Sequence, residues 1–309
     1  MKLILVTGIE GFVGRHLTRA LVDAGYSVAG IHLAPAPAGM PARLFEGNVC
    51  DFHWLRQTLS QIKPDAVIHL AAVSSVADAE NQLLGTFEVN ASGTLKLLAA
   101  LSELALRPRV LLISSGSVYG CGTRTPFTEE MPPDPIDAYA LSKQVAEDIG
   151  RFFFRAYGAD VVILRPFSHT GPGQSPSFVF SSVARQIAEL ERQGATTGTI
   201  ELGNLDVRRD YVDVRDIVRA YILAIEKTSG GETYNVTSGS AVSIREGVEK
   251  LCRLARVRVT YTSTASRRRD RDLPNLTGDP TKFQTVTGWK PQISFDQTLA
   301  DLLEYWRSQ

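Results

Sequence analysis

The stretch Thr7-Gly8-Ile9-Glu10-Gly11-Phe12-Val13-Gly14 joins a short apolar run, residues 3–6, to a segment whose apolar residues recur at helical spacing. Its glycines follow the pattern GxxGxxG. Glycine at these places allows a tight turn, lets the backbone approach a diphosphate, and lets the helix pack closely on the strand. The amino end of the helix offers N–H groups and partial positive charge to phosphate. The stretch therefore predicts a strand–turn–helix unit that binds a dinucleotide.

The second predicted strand, residues 28–31, bears on which dinucleotide would bind. An acidic residue at its end would accept a hydrogen bond from the ribose 2′-hydroxyl of NAD and would repel the 2′-phosphate of NADP. The window from Val28 to Ala34 contains no Asp or Glu, and no Arg either. We therefore expect NADP, with NAD as the alternative. His32 and Arg15 are the nearby candidates for contact with the phosphate.

Short apolar runs alternate with helical patterns through the first half of the chain. Strands are predicted at 3–6, 28–31, 65–70, 109–114 and 161–164, and long helices at 83–104 and 138–157. This alternation predicts an α/β fold with a parallel sheet covered on both faces. After Pro166 the elements are short and mixed, which predicts a smaller α+β lobe. We place the first domain at 1–165, with return segments near 209–236, and the lobe at 166–309.

The composition excludes several classes of protein. The 309 residues include 33 Lys plus Arg and 33 Asp plus Glu, so the net charge of zero argues against a nucleic-acid partner. No stretch approaches the ~20 apolar residues of a membrane span. The three cysteines and five histidines show no metal-ligand spacing, so we expect no metal. The amino-terminal apolar run is too short for a signal peptide, so we expect a cytoplasmic location.

A second constellation suggests chemistry. Tyr139 and Lys143 are four residues apart on a predicted helix and so share a face. A free tyrosine has a pKa near 10, and lowering it by about 3 units takes on the order of 4 kcal/mol. A nearby ammonium and a cationic nicotinamide ring can supply that. Ser115 follows a predicted strand, where its hydroxyl could bond a substrate oxygen. We expect Ser115, Tyr139 and Lys143 to be catalytic.

The chain resembles the extended short-chain dehydrogenase/reductase family, which includes nucleotide-sugar epimerases, dehydratases and reductases. The resemblance covers essentially the whole length, and further motifs carry it: HLAA at 69–72, SSGSVYG at 114–120, YALSK at 139–143, RPF at 165–167, GPGQ at 171–174, RDY at 209–211 and TGWKP at 287–291. It implies a Rossmann doubly wound parallel sheet with a smaller C-terminal substrate lobe. It also implies that Ser115, Tyr139 and Lys143 form the family's catalytic triad.

The expected ligand contacts fall into two groups. The cofactor group is Gly8, Gly11, Phe12, Val13, His32, Asn48, Val49, Leu70, Ala71, Ala72 and Asn90, together with Tyr139 and Lys143. The substrate group is Ser168, Phe178, Val179, Arg209, Arg269 and Asp272. The resemblance implies that Arg209 and Arg269 bind the substrate pyrophosphate and that Asp272 takes ribose hydroxyls. Ser168 departs from the family, which usually has Asn there. For Asn90, a packing role is an equal alternative.

Small differences near the reacting carbon divide the family. The 4,6-dehydratases place an acidic residue directly after the catalytic Ser or Thr, because elimination of water needs an acid and a base. In this chain the two residues after Ser115 are Gly116 and Ser117. Neither is acidic, and this disfavours dehydration. Simple hydride transfer needs only the triad and a nicotinamide. A 4-epimerase uses the same groups and remains an alternative.

Two stretches suggest the substrate. Residues 202–210 resemble the GDP-mannose-utilising members, and residues 171–179 resemble the GDP-4-keto-6-deoxy-D-mannose reductases. The resemblance implies reduction of the 4-keto group of a nucleotide-linked 6-deoxyhexose, with GDP-D-rhamnose as the product. A non-enzymatic dinucleotide sensor is the alternative from another class, but such proteins typically lose the Tyr or the Lys. The family also implies a homodimer that pairs the helices predicted at 83–104 and 138–157.

Overall fold

The computed structural model describes residues 2–36, 38–121, 125–264 and 273–309. Its strands are β1 (Leu3–Thr7), β2 (Ser27–His32), β3 (Arg43–Glu46), β4 (Ala66–His69), β5 (Arg109–Ile113), β6 (Val161–Pro166), β7 (Ser168–Thr170), β8 (Thr197–Leu202), β9 (Arg208–Asp213), β10 (Thr233–Val236), β11 (Ala241–Ser243), β12 (Arg258–Ser263) and β13 (Asn275–Leu276). Its helices are α1 (Phe12–Asp23), α2 (Phe52–Ile62), α3 (Val76–Asn81), α4 (Leu83–Phe87), α5 (Gly93–Glu103), α6 (Ala138–Tyr157), α7 (Val179–Arg192), α8 (Val214–Lys227), α9 (Ile244–Leu254), α10 (Thr281–Thr287) and α11 (Phe295–Arg307).

The main sheet has seven strands in the order β10-β6-β5-β4-β1-β2-β3. Every neighbouring pair is parallel. From β1 the chain runs outward through β2 and β3, and then returns to the other side of β1 to add β4, β5, β6 and β10. The strand order therefore reverses between β1 and β4, and in such sheets the crevice at the carboxyl ends of these strands is the usual ligand site. The predicted α/β Rossmann class is confirmed.

Helices cover both faces of this sheet. Along β1, Ile4 and Val6 pack into one apolar cluster and Leu5 into another, because successive strand residues point to opposite faces. The first cluster contains α1 and α8 through residues such as Leu17. The second contains α2 and α5 through residues such as Leu97. This two-sided burial explains why the strands read as short continuous apolar runs rather than as alternating patterns.

The helix predicted over 83–104 is interrupted. A π-helical turn at Glu88–Ser92 separates α4 from α5, so the segment is helical without being one regular helix. The prediction for 138–157 is confirmed residue for residue: Asp137 caps the first turn of α6 by accepting from the Ala140 amide, and Gly158 ends the helix with a φ of 62°. The interruption matters for the site because α4 and the π-turn contact α6.

The C-terminal part of the chain contributes both to the main sheet and to a smaller group of elements. Strand β10 extends the main sheet beside β6, and α8 packs on α1. The smaller group contains a four-stranded sheet built on β9, the parallel pair β8–β12, and three helices, α7, α9 and α11, around one apolar cluster. The domain boundaries at 165 and 209–236 stay a prediction.

Candidate active site

A cleft of about 960 Å³ lies at the carboxyl ends of the parallel strands, between them and the smaller group of elements. It brings together most of the residues expected to touch cofactor or substrate. Those lining it are Gly8, Gly11, Phe12, Val13, His32, Asn48, Val49, Leu70, Ala71, Ala72, Ser115, Tyr139, Lys143, Ser168, Phe178, Val179 and Arg209. Residues far apart in the chain therefore meet in one cavity.

Among the described residues expected to touch cofactor or substrate, Asn90 does not line the cleft. Asn90 lies behind its wall: its amide donates to the carbonyl of Val73 at 3.1 Å and to the Ser142 hydroxyl at 2.8 Å, and accepts from the Val73 amide at 2.8 Å. We therefore expect Asn90 to hold the Val73 loop rather than to touch the cofactor. Arg269 and Asp272 lie outside the described residues, so their expected substrate contacts stay predictions.

The glycine turn forms the floor of the cofactor side. Gly8 has a φ of +68°, and a Cβ built on it would lie 2.9 Å from the Ala71 backbone. A Cβ on Gly14 would lie 2.5 Å from the Ile9 carbonyl oxygen. Only glycine meets both the left-handed backbone and these close approaches. The turn thus brings the amino end of α1 close to the segment after β4.

This end of α1 fits a diphosphate. Gly11 sits at the N-cap without a side chain that could bond the first amides, and the first turn, Phe12 to Arg15, contains no acidic residue. A helix end of this kind presents amide hydrogens to an anion. The 12-residue helix begins at the switch point of the sheet, beside the Leu70–Ala72 segment. The residues present therefore fit the diphosphate of a nicotinamide dinucleotide.

The three expected catalytic side chains come from two adjacent elements. Ser115 follows β5 with an extended backbone, and its hydroxyl accepts from the Ser117 amide at 3.1 Å. Tyr139 lies in the first turn of α6, and its hydroxyl interacts with that of Ser115. Lys143 lies one turn further on, and its ammonium donates to the Ile113 carbonyl at 2.9 Å. The strand end and the helix thus hold the hydroxyl, phenol and ammonium at one end of the cleft.

The pKa of Tyr139 differs from the sequence-based expectation. Burial raises it to about 12, the interaction with Ser115 pulls against this, and the Asp137 carboxylate adds to the rise. The expected lowering is therefore not produced by the protein's own groups, because the loss of hydration outweighs them. At neutral pH the phenol holds its proton, which is the form that a general acid needs.

Lys143 is buried beside a carboxylate network. Burial lowers the pKa of its ammonium to about 8, and the Glu147 carboxylate opposes that change. Glu147 is itself inaccessible: it accepts from the Ser114 hydroxyl at 2.5 Å, from Arg165 at 2.6 Å and 2.8 Å, and from Arg151 at 2.7 Å. Burial would raise the pKa of Glu147, but Arg165, Ser114 and Arg151 together lower it. The network ties α6 to the ends of β5 and β6.

A buried histidine lies at the end of β4. His69 Nδ1 is 2.7 Å from the Thr7 hydroxyl, while its Nε2 has no hydrogen-bond partner among the described residues. Burial lowers the pKa of His69 to about 3, and the charge of Lys143 adds to this. The imidazole is therefore neutral at physiological pH. It supports the strand end beneath the cofactor side of the cleft.

The place where dehydratases carry an acid is closed by packing. A Cβ built on Gly116 would lie 2.9 Å from the Phe167 ring, so no side chain fits there without movement. The next residue, Ser117, points its amide at Ser115. Across the described ranges, no group of three or more His, Cys, Asp or Glu side chains could hold a metal ion. The chemistry available at this end is that of a hydroxyl, a phenol and an ammonium.

Glu10 and Tyr221 are among the cleft residues that the sequence did not predict. Glu10 lies inside the glycine motif, and its carboxylate accepts from the amides of Leu33 at 3.0 Å and Ala34 at 3.3 Å. Tyr221 lies on α8, with its ring buried and within electrostatic reach of Tyr139. Glu10 occupies an unspecified position of the motif and Tyr221 lies on one apolar helix face among many, so neither position stood out in the pattern.

Comparisons with known proteins agree with this geometry. The family described as GDP-mannose 4,6 dehydratase matches residues 5–302. The GDP-6-deoxy-D-mannose reductase of Pseudomonas aeruginosa is 37% identical over 308 residues, which cover 99% of this chain and 97% of that protein. The solved structure of RMD from Pseudomonas aeruginosa complexed with NADPH superposes with a TM-score of 0.88 at 36% identity, covering 100% of this chain and 99% of that one. The UDP-glucose 4-epimerase of Thermus thermophilus in complex with NAD gives a TM-score of 0.87 at 28% identity, covering 99% of each chain.

Proposed function

The chain belongs to the GDP-mannose 4,6-dehydratase family of extended short-chain dehydrogenases/reductases, and on that premise we propose that it is a nucleotide-sugar reductase. Its substrate is a nucleotide-linked 4-keto-6-deoxyhexose, with GDP-4-keto-6-deoxy-D-mannose as the best candidate and GDP-D-rhamnose as the product. The observation that carries this proposal is the shared cleft, which joins the glycine turn to Ser115, Tyr139 and Lys143. The likeness to a GDP-6-deoxy-D-mannose reductase supports the choice of sugar.

The chemistry follows from the three side chains. When bound, a reduced nicotinamide dinucleotide, NADPH or NADH, supplies the hydride to C4 of the sugar. The Ser115 hydroxyl orients the carbonyl oxygen, and the Tyr139 hydroxyl donates its proton to that oxygen as the C4–H bond forms. The phenolate left on Tyr139 is stabilised by the Lys143 ammonium and then regains a proton from solvent. One hydride and one proton thus convert the ketone to an alcohol.

The protonation state of Tyr139 bears on the choice between reduction and epimerisation. An epimerase must first oxidise its substrate, so its tyrosine has to act as a base. The protein's own groups raise the pKa of Tyr139, mainly through burial, and the cationic nicotinamide of bound NAD⁺ would oppose that rise. A reductase starts from the protonated phenol, which is the dominant form. The 4-epimerase therefore stays the second candidate, supported by the likeness to a UDP-glucose 4-epimerase.

Dehydration is the least favoured of the three reactions despite the family's description. Elimination of water from C5 and C6 needs a carboxylate beside the catalytic serine. Gly116 packs on Phe167 at that place, and the neighbouring acid, Asp137, is engaged in capping α6. A non-enzymatic sensor is disfavoured because the phenol and the ammonium are both retained in the cleft.

The test is a direct assay of turnover. Protein mixed with NADPH or NADH and GDP-4-keto-6-deoxy-D-mannose should oxidise the dinucleotide, seen as loss of absorbance at the nicotinamide band. Tyr139→Phe should lower the rate by at least about 10³-fold, because no acid protonates the oxygen, while dinucleotide affinity changes little. An unchanged rate in this variant would refute the assigned acid. No oxidation by the wild-type protein would refute the reductase.

The assembly and location form part of the same proposal. Large apolar side chains are exposed on α4 and α6: Leu84 is 85% exposed, Phe152 50% and Leu141 43%, whereas Phe153 is buried. We propose that a second copy of the chain covers these helices, and that Phe152→Lys shifts the protein to a monomer in sedimentation analysis. The location proposed is the cytoplasm, which the three unpaired cysteines support. Within the described part of the chain, no helix is long and apolar enough to cross a membrane.

A further inference from the structure

Strand β2 ends without an acidic residue, but the folded chain brings one to that place from elsewhere. The Glu10 carboxylate reaches from the glycine turn across the end of β2. One of its oxygens, Oε1, accepts from the amide of Leu33 at 3.0 Å and from that of Ala34 at 3.3 Å. These are the two residues directly after His32, the last residue of β2. An acid at the end of this strand is the group that contacts the ribose 2′ position in dinucleotide-binding folds.

The two amides matter as much as the carboxylate. Backbone N–H groups after a strand are ordinary donors to phosphate. Here both donate to Glu10 and are therefore not available to a 2′-phosphate. Glu10 lines the same cleft as Gly11 and His32. A phosphate at this position would meet a carboxylate in place of two donors, and like charges at short range repel.

The second carboxylate oxygen of Glu10 also bears on the choice between a ribose 2′-hydroxyl and a 2′-phosphate. Oε2 of Glu10 is shielded from water and has no hydrogen-bond partner among the described residues. A buried carboxylate oxygen without a donor is costly. Because water does not reach Oε2, a ligand hydroxyl would bond it only after the Glu10 side chain rotates. The ribose 2′-hydroxyl of NADH brings an O–H donor, whereas the ionised 2′-phosphate of NADPH brings acceptors and negative charge.

The cations near this corner are few and differently engaged. Arg15 donates from Nε to the Glu10 carbonyl at 2.7 Å, and its side chain lies on the exposed face of α1. His32 Nδ1 is 3.0 Å from the Ala34 carbonyl oxygen. The β3 residue paired with His32 is Glu46, whose exposed side chain does not line the cleft. Arg15 is therefore the one residue of this group whose charge would attract a 2′-phosphate, and it provides the opposing hypothesis.

We infer that Glu10 is the residue that discriminates at the ribose 2′ position, and that it penalises the 2′-phosphate of NADPH relative to the 2′-hydroxyl of NADH. The inference rests on the proposed function only in that the cleft binds a nicotinamide dinucleotide. It adds a specificity residue taken from the glycine motif itself and does not depend on which sugar is reduced.

The experiment measures binding of each dinucleotide without sugar, by calorimetric titration of the full-length protein with NADH and with NADPH. Glu10→Gln is the decisive variant, because glutamine keeps an oxygen to accept from Leu33 and Ala34 while removing the charge. The ratio of the dissociation constant for NADPH to that for NADH should fall about tenfold in this variant. Glu46→Gln is the matched control and should leave the ratio unchanged, because Glu46 does not bond these amides.

Three outcomes would overturn the inference. The first is a ratio in Glu10→Gln within twofold of the wild-type ratio. The second is equal weakening of both dinucleotides, which would show that Glu10 only holds the loop. The third is loss of NADPH affinity in Arg15→Ala with no effect of Glu10→Gln, which would assign the position to Arg15. If both dinucleotides bind but no ketone is reduced, the proposed function fails and this inference stands. If neither binds, both fail.

Discussion

The two walls of the cleft are built differently. The wall that we propose for the cofactor, the cofactor wall, consists of strand ends and the glycine turn, and backbone segments pack closely there, as at Gly8 and Ala71. The wall that we propose for the substrate, the substrate wall, consists of side chains from separate segments, such as Phe178 before α7 and Arg209 in β9. A wall built from backbone requires residues, such as glycine, that can adopt its backbone conformation. A wall built from side chains requires residues that carry a particular chemical group. The two walls should therefore respond differently to substitution.

Gly8→Ala should produce the largest effect on the cofactor wall. The new Cβ would lie 2.9 Å from the Ala71 backbone, at a φ of +68°. We expect dinucleotide affinity to fall about 100-fold and stability to fall by about 2 kcal/mol or more. Calorimetric titration and chemical denaturation measure the two quantities. Gly25→Ala is the control: its φ is +85° but its Cβ would meet nothing within 4 Å, so it should cost stability and spare binding. Equal binding losses in both variants would contradict a backbone-built wall.

Arg209→Met tests the substrate wall. The Arg209 side chain lines the cleft and donates to the carbonyls of Arg208 and Leu273. Because a guanidinium fork suits phosphate oxygens, its loss should raise KM for the nucleotide sugar about 30-fold and leave dinucleotide affinity unchanged. Arg208→Met is the matched control, since Arg208 donates to the Ala241 carbonyl and should leave KM unaltered. A loss of dinucleotide affinity in Arg209→Met would contradict the assignment of this side chain to the substrate wall.

Local sequence patterns predict some features of the two walls and miss others. The parallel sheet and the helix at 138–157 follow from local patterns, because apolar runs and helical periodicity act over a few positions. Strand β3 was missed because it is four residues long and mostly exposed. The approach of Glu10 to the end of β2 joins residues 23 positions apart, which no local pattern records. The rise in the Tyr139 pKa comes from burial, a tertiary property that the spacing of Tyr139 and Lys143 does not record.

The pH dependence of reduction should follow the charge of the Lys143 ammonium, which lies where the two walls meet. Burial lowers the pKa of Lys143 to about 8, so the charged form that stabilises the phenolate is lost above that pH. We expect kcat/KM for reduction to fall up to about tenfold for each pH unit above 8. Stopped-flow or steady-state rates across pH 6–10 measure this. Lys143→Met should reduce the ketone slowly, and its kcat/KM should not fall in this way above pH 8. If kcat/KM of that variant still falls above pH 8, another group is responsible for the pH dependence.

His69→Asn should have the smallest effect, on stability rather than on catalysis. The folded pKa of His69 is about 3, below its unfolded value near 6.5, so the unfolded chain binds the proton first. Stability contributed by the neutral ring is present above pH 6.5 and is lost as the pH falls, by about 1.4 kcal/mol at pH 5.5. The variant should lose this part of the pH dependence in denaturant titrations. His53→Asn, at an exposed position, should retain it, and an unchanged pH dependence in His69→Asn would contradict the assigned burial.

Reduction at C4 is tested most directly by following the transferred hydrogen. Reduced dinucleotide carrying deuterium at the transferred position of its nicotinamide is incubated with GDP-4-keto-6-deoxy-D-mannose, and the product is analysed by NMR. We expect one deuterium at C4 of the sugar for each dinucleotide oxidised, and almost none with Tyr139→Phe. Inversion at C4 of a supplied nucleotide hexose without net oxidation of dinucleotide, or a sugar that remains unlabelled, would contradict it.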